Sequence, residues 1–172
     1  TALTAALLNV DYMFGDSDDY ENSLYRLQGQ SGKVYLYACN ETLPFGYVAP
    51  EGFTLPDSSN AIRLQNELVR ALGVEEKLFR DARASQSDRD VSFTAKEDGI
   101  YYALLNAGGI SKVAYIGGAT EEETFTDLKS GSILYLGFLQ EGQTVTLTDG
   151  GDSGEKATVR ADVYRMDEAV LE

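Results

Sequence analysis

The sequence predicts a mainly β (α+β) protein: an antiparallel, jelly-roll-like β-sandwich with a small N-terminal αβ part and an inserted helical segment. Three observations lead there. Between residues 91 and 164, seven runs rich in β-branched and aromatic residues are separated by turn signals, roughly one every ten to fifteen residues, the spacing of an antiparallel sandwich. Between 61 and 72, apolar residues recur at helical spacing. No apolar run approaches the roughly 18–20 residues that span a bilayer.

The elements follow in order. Residues 2–8 carry one or two helical turns, and Val10 to Phe14 reads as a short strand stopped by the acidic turn GDSDD at 15–19. SLYRLQG and KVYLYAC alternate with period two around Gln30-Ser31-Gly32, the pattern of a hairpin. FGYVAP at 45–50 reads as a further strand closed by Pro50 and Gly52. Asp57 or Ser58 is placed to cap a helix whose apolar stripe is Ala61, Leu64, Leu68 and Leu72, widened by Ile62 and Val69 and ended by Gly73. EEKLFRDA, roughly 75–82, is expected to be a second helical segment, and ASQSDRD at 84–90 a polar linker. The seven strands are VSFTA, IYYALLNA, KVAYI, EETFTDL, ILYLGFL, TVTLT and ATVRADVY, and MDEAVLE reads as a last helical turn. The expected division is 1–56 as an αβ segment, 57–84 as a helical segment and 85–172 as the sandwich, together one compact unit.

Composition bounds the chemistry. With 172 residues, 43% hydrophobic, the chain is long enough to bury a core without a metal or disulfide. Its 11 Tyr and 7 Phe are more than a solvated tail carries. A net charge of −14 repels phosphate backbones and anionic head groups, which argues against nucleic acid as a partner. Lys and Arg are scattered singly along the chain. There is no His, which excludes Ser-His-Asp and Cys-His catalysis within the chain and removes the commonest zinc ligand. The one cysteine, Cys39, lies in an alternating run and reads as a packed side chain rather than a nucleophile. No GxGxxG, phosphate loop or HExxH occurs, so no cofactor is expected.

Three groups of residues invite a site. The loop DGGDSGE offers Asp149, Asp152 and Glu155 as calcium candidates; it lacks the EF-hand spacing and closing Glu, and the plainer reading is a polar hairpin loop. Asp16, Asp18 and Asp19 are read the same way. Glu121, Glu122 and Glu123 resemble paired glycosidase carboxylates, but consecutive strand residues point to opposite faces. Tyr101, Tyr102, Tyr115 and Tyr135 lie on expected strands, where an exposed row stacks on sugar rings and a half-buried row merely packs. No catalytic residue is assigned.

Several pieces, taken in order, resemble the bacterial membrane protein family called YfhO: ALLNVDYMF at 6–14, ACNETLPFGYVAP at 38–50, RLQNELVRALGVEEKLF at 63–79, DGIYYALL at 98–105, SILYLGFLQEGQTVTLT at 132–148 and DVYRMDEAVLE at 162–172. The resemblance implies an extracytoplasmic domain of a multi-spanning glycosyltransferase that uses a lipid-linked sugar to decorate envelope polymers. It implies catalytic acids in loops between membrane helices, outside this chain, so none is carried over. The implied partners are the membrane-embedded part of the parent chain and an envelope glycan or polymer acceptor, at the extracytoplasmic face of the cell membrane. Thr1 in place of Met and the ending MDEAVLE add the expectation of a piece of a longer protein. The rival readings are a carbohydrate-binding module and a cell-surface interaction or adhesion domain.

Overall fold

The computed structural model describes residues 2–16, 18, 20–40, 42, 48, 50–106, 112–117, 123–151 and 157–171. The protein is mainly β, with antiparallel sheets and two α-helices among the described residues. The chain divides into two compact units, one made of Thr1–Leu55, Gln65–Leu78 and Glu168–Glu172, the other of Pro56–Leu64 and Phe79–Asp167.

Helix α1 (Ala2–Leu7) and strands β1 (Tyr12–Gly15), β2 (Tyr25–Ser31) and β3 (Val34–Cys39) belong to the first unit, with the strands in antiparallel order β1-β3-β2. The expected hairpin is β2–β3, turning at Gly32, whose φ of +61° suits glycine. Tyr37 on the middle strand is fully buried, and the Tyr20 ring meets it edge-on at 6.0 Å. Gly15 makes room for that ring, since a Cβ there would stand 2.9 Å from Tyr20. Asn22 starts β2 by accepting the backbone amides of Leu24 and Tyr25 at 2.8 and 3.2 Å. At the other end of the chain a 3-10 turn, Glu168–Val170, is tied to this unit by the Ser23 hydroxyl, which donates to Glu168 at 2.5 Å. The expected strand at 45–50 falls largely outside the described residues.

Helix α2 (Ala61–Ala71) forms where the apolar spacing places it. Its N-cap is Asn60, one turn-entry later than expected: Asn60 Oδ1 accepts the Arg63 amide at 2.8 Å, and the Ser58 hydroxyl instead accepts the amide of Asn60. Such a cap contributes about 1 kcal/mol. The helix ends at Gly73, φ +97°, in a Schellman motif in which the Val74 amide reaches Val69 and the Gly73 amide reaches Arg70. The fully buried residues are Ile62 and Val69, seven apart, so the centre of the apolar stripe lies beside the Leu64–Leu68 line.

The second unit carries β4 (Phe79–Asp81), β5 (Ser85–Gln86), β6 (Val91–Thr94), β7 (Gly99–Leu105), β8 (Val113–Gly117), β9 (Glu123–Phe125), β10 (Ile133–Leu139), β11 (Thr144–Asp149) and β12 (Ala161–Met166). They form two antiparallel sheets, β10-β7-β12-β4 and β5-β6-β11-β8-β9. All seven strands expected between 91 and 164 are present. Two expectations are corrected. The segment expected to be helical at 75–82 contains strand β4, because Phe79 pairs with Met166 and Asp81 with Tyr164 across the sheet. That long-range ladder outweighs a helical propensity worth tenths of a kcal/mol per residue. The expected linker at 84–90 contains β5, which pairs with β6 and is held by the Gln86 side-chain amide donating to Asp90 and Val159 carbonyls, both at 2.9 Å.

The two sheets share one core. Tyr101, Ala103, Leu105, Leu134, Leu136 and Val163 enter it from the four-stranded sheet, and Val91, Phe93, Val113, Tyr115, Val145 and Leu147 from the five-stranded one. Strand β7 is buried at all seven positions, so its second face, with Ile100, Tyr102 and Leu104, is covered as well. Strand β10 bulges between Tyr135 and Gly137, where glycine holds φ +80°. The bulge takes Leu136 out of the ladder register, and its carbonyl accepts the Tyr115 hydroxyl from the opposite sheet at 3.0 Å. Replacing Tyr115 by Phe removes this donor from a buried carbonyl, so Tyr115→Phe is expected to lower stability by about 1–3 kcal/mol in urea unfolding. A loss below about half a kcal/mol would show that the bond does not tie the sheets.

Candidate functional site

Of the residues singled out from sequence, Asp149, Tyr101, Tyr102, Tyr115 and Cys39 are placed in strands and turns of the scaffold. Asp149 ends β11, opposite Val113 on β8, and is 8% exposed. Its Oδ1 accepts the Gly151 amide at 2.9 Å and its Oδ2 the Ala157 amide at 2.6 Å, so both oxygens hold the two ends of the following loop. Asp152 and Glu155 lie outside the described residues, as do Asp19, Glu121 and Glu122. Among the described residues no group of three or more His, Cys, Asp and Glu is arranged to hold a metal ion.

The four tyrosines do not form one row. Tyr102 and Tyr135 are register partners on β7 and β10, with rings 5.4 Å apart, and Phe79 meets Tyr102 from the other side at 5.5 Å. Tyr101 points to the opposite face, and Tyr115 belongs to the other sheet. Tyr101, Tyr102 and Tyr115 are 2%, 3% and 7% exposed, and Tyr135 is half-buried. The hydroxyls of Tyr101 and Tyr115 donate to the carbonyls of Glu97, at 2.8 Å, and Leu136. Burial is the main cause that raises the Tyr101 pKa, opposed by that hydrogen bond and by Arg165. An exposed sugar-stacking platform is therefore corrected to packed sheet tyrosines: alternation along a strand tells which residues share a face, not whether that face meets water.

Cys39 is half-buried at the end of β3. Burial pushes its thiol pKa up, and the Asp11 carboxylate adds to the rise, which is the reverse of what a nucleophile needs.

Cations scattered singly along the chain come together in space. A cleft of about 230 Å³ in the second unit is lined by Arg80, Arg83, Lys96 and Arg165, four of the chain's 14 Lys and Arg, together with Asp81 and Glu97. Three connections build it. Arg80 and Arg165 are direct register partners on β4 and β12, and Tyr101 on β7 is the next partner in the row. Lys96 and Glu97 come from the β6–β7 turn, and Arg83 from the segment after β4. Arg165 is pinned: its Nε and Nη2 donate to the Asp98 carbonyl at 3.1 and 3.0 Å. Gly99 permits this placement, because a Cβ there would stand 2.7 Å from Arg165 Nε. Arg83 holds a left-handed backbone, φ +50°, fastened by its amide to the Asp81 carboxylate at 2.8 Å. Strand register brings Arg80 and Arg165 together and the connections add Arg83 and Lys96, and nothing in the spacing of positions 80, 83, 96 and 165 announces it.

Comparisons with protein families, with curated proteins and with solved structures return no match.

Two expected outcomes follow from this geometry. Asp149→Ala strands two backbone amides and is expected to lower stability by about 2–3 kcal/mol, by the same amount in calcium and in chelator; a loss seen only in calcium would return the loop to the metal reading. Cys39 is expected to react with iodoacetamide more slowly than the same thiol in urea-unfolded chain at about pH 8, because its raised pKa leaves less thiolate. Equal rates would contradict the assigned cause.

Proposed function

We propose that the chain is a non-catalytic, mainly β accessory domain at the extracytoplasmic face of a bacterial membrane, part of a multi-spanning glycosyltransferase-like protein that acts on envelope polymers. The observation that carries this reading is an apolar sheet face in the first unit. Tyr12 and Phe14 on β1 and Val34 on β3 are 59%, 76% and 50% exposed. Leu36 and Ala38 lie opposite Phe14 and Tyr12 in register, so the apolar residues are contiguous on one face. Scattered exposed hydrophobics are ordinary; a contiguous face is the mark of a surface that meets another protein or a membrane. This is the part of the chain whose resemblance implies a connection to membrane segments. The roles of Asp149, Tyr101, Tyr115 and Cys39 as scaffold groups support a domain that does not perform chemistry itself. With the two-residue β5 set aside, the sheet orders β4-β12-β7-β10 and β6-β11-β8-β9, in which the chain changes sheet at every connection except β8–β9, support the jelly-roll reading of the sandwich.

The test uses the complete protein in cells. Protease added outside intact protoplasts is expected to cleave within this domain, and cleavage seen only after lysis would overturn the assigned location. The purified chain is expected to transfer no sugar from a lipid-linked donor; measurable turnover would overturn the non-catalytic assignment.

A further inference from the structure

The cleft of the second unit gathers charge of the sign opposite to the chain's net charge. The chain carries net charge −14, yet here four cations converge on about 230 Å³. Like charges placed directly opposite on adjacent strands are destabilising, and Arg80 and Arg165 are so placed. The compensation within the protein is incomplete. Arg80 is paired with Asp167 at 2.6 Å, but the carboxylate nearest Arg165 is Glu97 at 3.7 Å, on a side chain that is 71% exposed. A pair so exposed contributes little and is readily displaced. Arg83 and Lys96 have no carboxylate within ion-pair distance among the described residues. Arg83 is moreover held in a backbone conformation that costs a non-glycine residue energy, the kind of local strain that accumulates at binding sites.

We propose that this cleft binds a small oxoanion: the carboxylate or phosphate group of a molecule no larger than a monosaccharide. The size follows from the volume, which is below the roughly 300 Å³ at which pockets for drug-sized ligands begin. The ligand class follows from the donors. Arg165 is pinned through Nε and Nη2 by a backbone carbonyl, so its guanidinium is oriented before any ligand arrives, and it is the other fork, the Nη1–Nη2 end, that would meet the two oxygens of a carboxylate or phosphate. The selectivity for a small ligand follows from the field. At physiological salt, charges are screened beyond about 8 Å, so an anion inside the cleft meets chiefly the groups that line it, four cations against the carboxylates of Asp81 and Glu97. An extended polyanion would lie against the acidic surface beyond and be repelled. This inference stands apart from the accessory-domain reading and survives its failure.

The experiment is calorimetric titration of the chain with inorganic phosphate and with glucuronate at constant ionic strength, with glucose as the uncharged control. Saturable binding of phosphate, glucuronate or both is expected, and which of them binds tells whether the site prefers a phosphoryl or a sugar-acid ligand. Glucose is expected not to bind. The double variant Arg83→Asn, Lys96→Gln, in which asparagine tolerates the left-handed backbone, is expected to weaken binding at least about tenfold with an unchanged melting temperature. Lys96→Gln alone, an exposed substitution, gives the same test should the double variant melt early. Absence of saturation by both anions, or equal affinity in the variants, would overturn the proposal.

Discussion

A sandwich of two sheets closes on one core only if the polar groups trapped inside it are paired, and in this protein the pairing is made across the sheets. The bulge in β10 takes Leu136 out of register, and the Tyr115 hydroxyl reaches over from the other sheet to its carbonyl. The bulge therefore does two things at once: it bends its strand around the core, and it presents an acceptor where the opposite sheet has a donor. The same rule governs the periphery. Tyr101 closes the β6–β7 turn onto the Glu97 carbonyl, and Asp149 closes the loop after β11 onto two amides. Each is a polar side chain whose position is set by an otherwise unsatisfied backbone group.

That arrangement gives several of the described residues with the richest chemistry a structural role. An aspartate with both oxygens on backbone amides, tyrosines whose hydroxyls meet carbonyls, and a thiol whose ionisation is opposed by burial and by Asp11 are occupied with holding strands and turns. Guanidinium and ammonium groups gather at the end of the four-stranded sheet, Arg80 paired with Asp167 and Arg165 held by the Asp98 carbonyl. They collect there because β4, the edge strand, brings Arg80 beside Arg165, and the β6–β7 turn carries Lys96 to the same place. The acidic chain thus carries a cleft lined by four cations in its second unit and a contiguous apolar sheet face in its first.

Much of this architecture was legible from residue order. The seven strands of the sandwich appear where alternation and turn residues place them, the β2–β3 hairpin turns at Gly32, and α2 runs into the Gly73 stop. These are local signals, in which the side-chain period and the backbone preference of one or two residues decide the outcome. The errors share a different cause. Phe79 to Asp81 has the composition of a helix and becomes a strand because β12 supplies a ladder from far along the chain. Asn60 rather than Asp57 or Ser58 caps α2, because capping depends on where the first turn closes. Of the tyrosines, strand membership was readable and exposure was not.

The sequence by itself determined the class of the protein: its β periodicity, its turns, its acidic field, and the exclusion of histidine-dependent catalysis. Those properties are sums over residues or patterns within a few positions, and they survive without knowledge of contacts. Tertiary structure alone decided which polar groups are consumed by the scaffold and which remain available. It buried Tyr101, Tyr102 and Tyr115, gave Asp149 its two amides, and set Arg80, Arg83, Lys96 and Arg165 around one cleft. The physical reason is that burial and charge convergence are properties of register between distant strands, and a one-residue change of register sends each side chain to the other face of its sheet.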